Sequence, residues 1–263
     1  MNPVIFDKAD LPLEDLAAVG LYAGEELLLS DSNLTALLSG RRTDLLTLED
    51  LQYGDLRIAS LNAKLSLVSG PDGKPELLVH PTYLRSIPPT YLNDNEIEAL
   101  ETGEETMLEK EVVDNNGQRK RVLVEFDKET KQFLETDEDK LEAPEEVNGY
   151  TLTPEQKAKF KRGQEVEVPD GTKLKHTAAT REGLRANRIA LVVSILMDGG
   201  ISYLLIKGIH ALGKENEQER RNLSEAYEAA KEKVVSTGEE PFVPKFNSHA
   251  NQQARGYGRS SAR

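Results

Sequence analysis

Leu92-Asn93-Asp94-Asn95-Glu96-Ile97-Glu98-Ala99-Leu100-Glu101-Thr102-Gly103-Glu104-Glu105 returns in outline 60 residues later as Leu152-Thr153-Pro154-Glu155-Gln156-Lys157-Ala158-Lys159-Phe160-Lys161-Arg162-Gly163-Gln164-Glu165. Both stretches obey one grammar: an anchoring Leu, a small polar cap, two turns of helix with an apolar residue before the last turn, and a closing Gly. Strand-like sequence with a turn follows each. In the first copy Asp114-Asn115-Asn116-Gly117 separates Glu111-Val112-Val113 from Val122-Leu123-Val124-Glu125-Phe126; in the second Pro169-Asp170-Gly171 follows Val166-Glu167-Val168. Asn-Gly and Asp-Gly supply the positive φ of tight hairpins. The pattern predicts an α+β fold of small helix-plus-β-hairpin modules, repeated at 91–134 and 148–188 and joined by an acidic linker at 135–147 that reads as a solvated spacer.

Towards the amino terminus, residues 1–90 predict a helix pair plus β-hairpin. Asp10-Leu11-Pro12-Leu13-Glu14-Asp15-Leu16 carries an Asp cap, an early proline and first-turn acids, and Gly20 closes the helix. A second helix starts from Asp31, Ser32 or Asn33, presents Leu34, Leu37 and Leu38 on one face and ends at Gly40. Arg41-Arg42 follows, yet the second helix offers Leu, Ala, Ser and Thr where a DNA-reading helix needs Arg, Asn or Gln. Leu56, Ile58, Leu61, Ala63, Leu65 and Leu67 alternate with polar residues, and Pro71-Asp72-Gly73-Lys74 turns the chain before Leu77-Leu78-Val79. His80-Pro81 and Ile87-Pro88-Pro89 break the pattern, placing a boundary near residue 90.

Composition favours several thin cores over one large one: the 263 residues include no Trp, six Phe and eight Tyr, and 30% are charged. No Cys is present, which excludes disulfides and thiolate chemistry. Net charge is −13, with the acidity concentrated over 94–147 and a basic excess over 148–188. The start, Met1-Asn2-Pro3-Val4-Ile5-Phe6-Asp7, lacks the basic and apolar runs of a secretory signal, so a cytoplasmic location is expected.

Towards the carboxy terminus, residues 189–212 form an apolar run from Ile189 to Leu212, read as one helix or as a helical hairpin split at Gly199-Gly200. Ser194, Asp198 and Ser202 recur every four residues, a polar stripe that would face a partner on a helix and mark an interaction surface. The length suffices to span a bilayer, but Asp198 near its middle costs about 2.5 to 3.5 kcal/mol there. Inner-membrane insertion, burial in a protein oligomer and ordinary core all stay open. Arg181, Arg185 and Arg188 precede the run and could contact phosphates, as could Arg255 and Arg259 in a tail, 236–263, expected to be disordered. A charged helix is expected over 213–235.

Phe6-Asp7-Lys8-Ala9-Asp10-Leu11-Pro12-Leu13-Glu14-Asp15-Leu16, Gly20-Leu21 and Asn33-Leu34-Thr35-Ala36-Leu37-Leu38-Ser39-Gly40-Arg41-Arg42-Thr43-Asp44-Leu45-Leu46 resemble the first of two neighbouring uncharacterised domains of Bacteroides-type bacteria. Residues 152–166, with Arg181-Glu182-Gly183-Leu184, resemble the second. Such domains occur on conjugative and other mobile elements, and some are fused to type IA topoisomerases. An Asn-Met-Gly-Arg-type motif expected after Gly103 is replaced by Glu104-Glu105-Thr106-Met107. The resemblance implies a mobile-element setting and carries no assigned activity.

Chemistry is sparse in the sequence. His80, His176, His210 and His249 stand singly, without metal-ligand spacing, and there is no Walker loop, dinucleotide fingerprint or nucleophile elbow. No catalytic, cofactor or metal residue and no small-molecule substrate is expected. The sequence therefore points to a non-enzymatic adaptor or assembly protein docking through 189–212 to a protein partner, a second copy or a membrane. The alternative is a nucleic-acid-processing accessory that holds phosphates through the arginines named above.

Overall fold

The structure, a computed structural model, describes residues 6–53, 56–114, 116–197 and 200–236. Asp7 caps a 3-10 turn, Lys8–Asp10, by accepting from the Ala9 amide at 2.8 Å. Helix α1 (Leu13–Ala18) starts at Pro12 without a side-chain cap, so the expected Asp10 cap is displaced upstream to Asp7. Strands β1 (Tyr22–Ala23) and β2 (Glu26–Leu27) make a minimal hairpin before α2 (Asp31–Leu38). The cap of α2 is Ser30, one residue earlier than expected, because Asn33 is buried and uses its Oδ1 to accept the Asp44 amide at 2.9 Å. Strands β3 (Leu46–Tyr53), β4 (Leu56–Ser69) and β5 (Pro75–Pro81) form an antiparallel meander. Ala63, Leu65 and Leu67 on β4 join Phe6, Leu11, Leu16, Leu37 and Leu48 in the first core.

Helix α3 (Asp94–Thr102) opens the middle unit with a capping box between Asn93 and Glu96 and ends at left-handed Gly103. Strands β6 (Leu108–Val113), β7 (Arg119–Asp127) and β8 (Gln132–Asp137) make a second meander. Val122 and Val124 on β7 pack with Leu92 and Leu100. Leu123, Glu125 and Asp127 on its other side are buried as well, so this sheet is covered on both faces.

The third unit begins inside the expected acidic linker, which is a correction. The segment carries a 3-10 turn, Glu138–Lys140, and strand β9 (Glu146–Val147), returning through Asn148 and Gly149 (φ 49° and 81°) to β10 (Tyr150–Thr151). Two of its acids are in ion pairs: Glu138 meets Arg121 at 3.3 Å and Arg162 at 3.9 Å, and Glu145 meets Lys157 at 2.5 Å. The stretch read as a solvated spacer is therefore partly docked, through Glu138 and Glu145, on basic side chains of both neighbouring units, while Glu135, Asp139 and Glu142 are exposed. Helix α4 (Pro154–Lys161) repeats the capping box with Thr153 and Gln156, and β11 (Val166–Glu167), β12 (Lys173–His176) and β13 (Leu184–Ala186) form the third meander. Each copy of the repeat thus holds one strand more than a hairpin.

The 189–212 segment is β structure, which overturns the apolar helix and the helical hairpin alike. Strands β14 (Ala190–Met197) and β15 (Gly200–Lys207) pair antiparallel, and β14 also pairs with β9, giving the sheet order β10-β9-β14-β15. The physical cause is burial on two faces. Leu191 and Val193 enter the core of the third unit with Phe160, Leu174 and Leu184, while Ala190, Val192 and Leu205 face Tyr227 and Val234. A strand covered on both sides reads as an unbroken apolar run. Among the described residues no helix is long and apolar enough to cross a membrane. The expected single helix at 213–235 is two, α5 (Glu217–Arg221) and α6 (Glu225–Ser236).

Candidate functional site

Two features stand out, an open strand edge and a polar cleft at the meeting of the three units. On the β9 side of β14, the Val192 carbonyl accepts from the Asn148 amide at 2.7 Å, the Val192 amide donates to Asn148 Oδ1 at 3.1 Å, and the Ser194 carbonyl accepts from the Glu145 amide at 2.8 Å. Backbone groups alternate sides along an antiparallel strand. Leu205 and Tyr203, opposite Val192 and Ser194, therefore turn their own amides and carbonyls away from β14. Among the described residues no strand pairs with that far side.

Sheet edges are normally blunted by charge, proline or kinks. The other long edges comply: β6 carries Glu109, Lys110 and Glu111, β8 carries Glu135 and Asp137, β5 is bounded by Pro75 and Pro81, and β3 bends at Asp50 (φ 54°). β15 runs Gly200-Ile201-Ser202-Tyr203-Leu204-Leu205-Ile206 before its one charge, Lys207. The expected stripe does not form there. Ser194 pairs with Tyr203 and Ser202 with Ile195, one rung apart, and Asp198 lies outside the described residues. Ser194 is fully buried, its hydroxyl meeting no hydrogen-bond partner among the described residues.

The cleft encloses about 350 Å³. Its floor is Lys64, which leaves the first unit on the opposite face of β4 from Leu65 and is 2% exposed. Its ammonium meets Asp127 at 2.9 Å, Glu129 at 2.8 Å and the Ala179 carbonyl at 2.7 Å, joining all three units. Arg42 adds a second cation 3.6 Å from Asp127. Buried Glu125 accepts from Thr177 Oγ1 at 2.6 Å and from the Ala178 amide, and burial pushes its carboxyl up from the usual range despite those donors.

Of the arginines expected at phosphates, Arg181 is held by Asp44 and by Glu182 at 2.8 Å, and Glu182 also meets His210 at 3.2 Å. Arg188 donates to the Glu219 and Asn222 carbonyls at 3.2 and 2.8 Å, closing the end of α5. Arg185 lines the cleft, and among the described residues its guanidinium makes one hydrogen bond, a long 3.4 Å contact to the Ala211 carbonyl. Arg255 and Arg259 lie outside the described residues. Lys64, Glu125, Asp127 and Lys175 escape a sequence reading, because an isolated charge between strand apolars looks solvated until the partner unit is placed over it.

Residues 6–86, spanning the first unit and the start of its linker, match the family model described as a protein of unknown function (DUF4099). No curated protein and no solved structure matches the chain.

Proposed function

We propose that the protein is a non-catalytic assembly module that takes an extended segment of a protein partner onto the open edge of β15. The carrying observation is the pair of outward backbone positions, Tyr203 and Leu205, on a strand with no charge from Gly200 to Ile206. Strand addition draws affinity from backbone hydrogen bonds and selectivity from alternate side chains. The docking segment is the one expected from sequence, acting as a strand edge in place of a helix. A mobile-element setting rests on the resemblance of the two domain types.

The nucleic-acid alternative draws little from the geometry, since Arg181 and Arg188 are engaged within the fold. The test of the edge is Tyr203→Pro, which removes an outward amide while sparing the ladder to β14. Display of random extended peptides against the full chain should enrich a strand-forming family that Tyr203→Pro no longer retains, with the melting transition kept. Light scattering across concentration reads self-pairing at the same edge. Equal retention of peptides and equal mass in parent and variant would sink the proposal.

A further inference from the structure

The junction cleft holds a second unassigned feature. Lys175 on β12 and Arg185 on β13 are direct cross-strand partners, so both side chains leave the same face of the sheet, and both line the cavity. Like charges set directly opposite each other destabilise a sheet. Among the described residues neither cation forms an ion pair within 4.0 Å, whereas the neighbouring Lys64, Arg42 and Arg181 all do. Glu125, buried in the same cleft, attracts both cations without pairing to either, and its two oxygens accept from Thr177 and the Ala178 amide.

We propose that the cleft binds a small phosphate-bearing molecule, its oxyanion seated between Lys175 and Arg185. The Lys175 ammonium is already steered by Thr106 Oγ1, leaving two of its three donors for a ligand. Arg185 spends one donor on a long bond to Ala211 and offers the rest of its fork, which suits phosphate oxygens. Burial, with Arg185 adding to it, lowers the pKa of Lys175 against the opposing pull of Glu125, Glu165 and Glu105, and an anion seated between the two cations would offset their repulsion. The cavity of about 350 Å³ admits a small molecule and not a duplex. Acids elsewhere on the wall, among them Glu105 and Glu129, favour a ligand whose remainder donates hydrogen bonds, as a sugar or amine does.

The experiment is calorimetric titration of the full chain with inorganic phosphate, then ribose 5-phosphate, with succinate and a short single-stranded oligonucleotide as competing chemistries. Binding of the phosphates should weaken at least tenfold in Lys175→Gln and in Arg185→Gln and persist in Lys175→Arg, with Arg119→Gln, on an exposed strand end, unchanged. Circular dichroism confirms folding of each variant, and Lys175→Arg keeps the test decisive if a glutamine variant unfolds. The assignment falls if phosphates do not bind at millimolar concentration, if they bind the glutamine variants equally, if succinate binds as well as phosphate, or if only the oligonucleotide binds.

Discussion

His176 is buried, its ring edge-on to Phe160 with centroids 6.1 Å apart, and neither ring nitrogen makes a hydrogen bond of ordinary geometry. Burial above all, with the Arg41 guanidinium adding to it, lowers its pKa from 6.5 to about 3. His80, between Arg42 at 3.1 Å and Ser66 at 2.8 Å, is lowered to about 4, again by burial first and Arg42 second. Both imidazoles stay neutral in the fold while the unfolded chain takes up protons below 6.5. The unfolded state thus binds more protons as pH falls, and stability drops from about pH 6.5 down through the folded values near 4 and 3. One buried imidazole of this kind removes about 2 kcal/mol between pH 6.5 and 5. Denaturant unfolding at those two pH values should show about twice that loss in the parent, which has two such imidazoles, and about one share in His176→Leu; identical losses would place the acid sensitivity elsewhere.

At the scale of elements, the repeated helices were legible because their signals are local. Asn93 with Glu96 and Thr153 with Gln156 form capping boxes, and Gly103 and Gly163 are left-handed at φ 83° and 69°. The two glycines nevertheless differ in what surrounds them. A Cβ at Gly103 would meet the flexible end of Lys128, whereas at Gly163 it would run into Met107 Sδ and lie 3.3 Å from Leu123 Cδ1, side chains of the middle unit. Both alanine variants carry the left-handed strain of about 1 kcal/mol, and Gly163→Ala adds overpacking of about 1 to 3 kcal/mol. Thermal melts should rank Gly163→Ala well below Gly103→Ala; equal midpoints would show that the Met107 side chain yields freely. The β14–β15 hairpin was not legible in the same way. Val192, Val193, Ile195, Ile201 and Ile206 favour strands, and Gly199-Gly200 offers a turn, but a 24-residue apolar run of either type looks alike without its neighbours. What decided it was non-local: β9 on one side and α6 over one face.

At the scale of the molecule, the three units own separate apolar cores, and beside the contact of Met107 and Leu123 with Gly163 they are tied by polar groups. Lys64 reaches Asp127 and Glu129 of the middle unit and the Ala179 carbonyl of the third, and Arg181 of the third returns to Asp44 of the first. None of these partners lies within 60 residues of the other in sequence, which is why the junction could not be foreseen from the chain. Burying Lys64 is favourable only while its acceptors surround it, and removing one member of such a group typically costs about 3 to 5 kcal/mol by stranding the rest. Lys64→Met strands Asp127 with Arg42 at 3.6 Å and cuts the link between units while leaving Leu65 and the first core untouched. Calorimetry of the parent should then give one cooperative endotherm and of Lys64→Met at least two, because inter-unit coupling and not core packing has been lost. Lys64→Met with Asp127→Leu removes the stranded charge and should recover part of the stability without restoring a single transition. A single endotherm in Lys64→Met, merely shifted down, would mean that the apolar packing around Met107 and Leu123 couples the units and that the ion-pair node only adds to it.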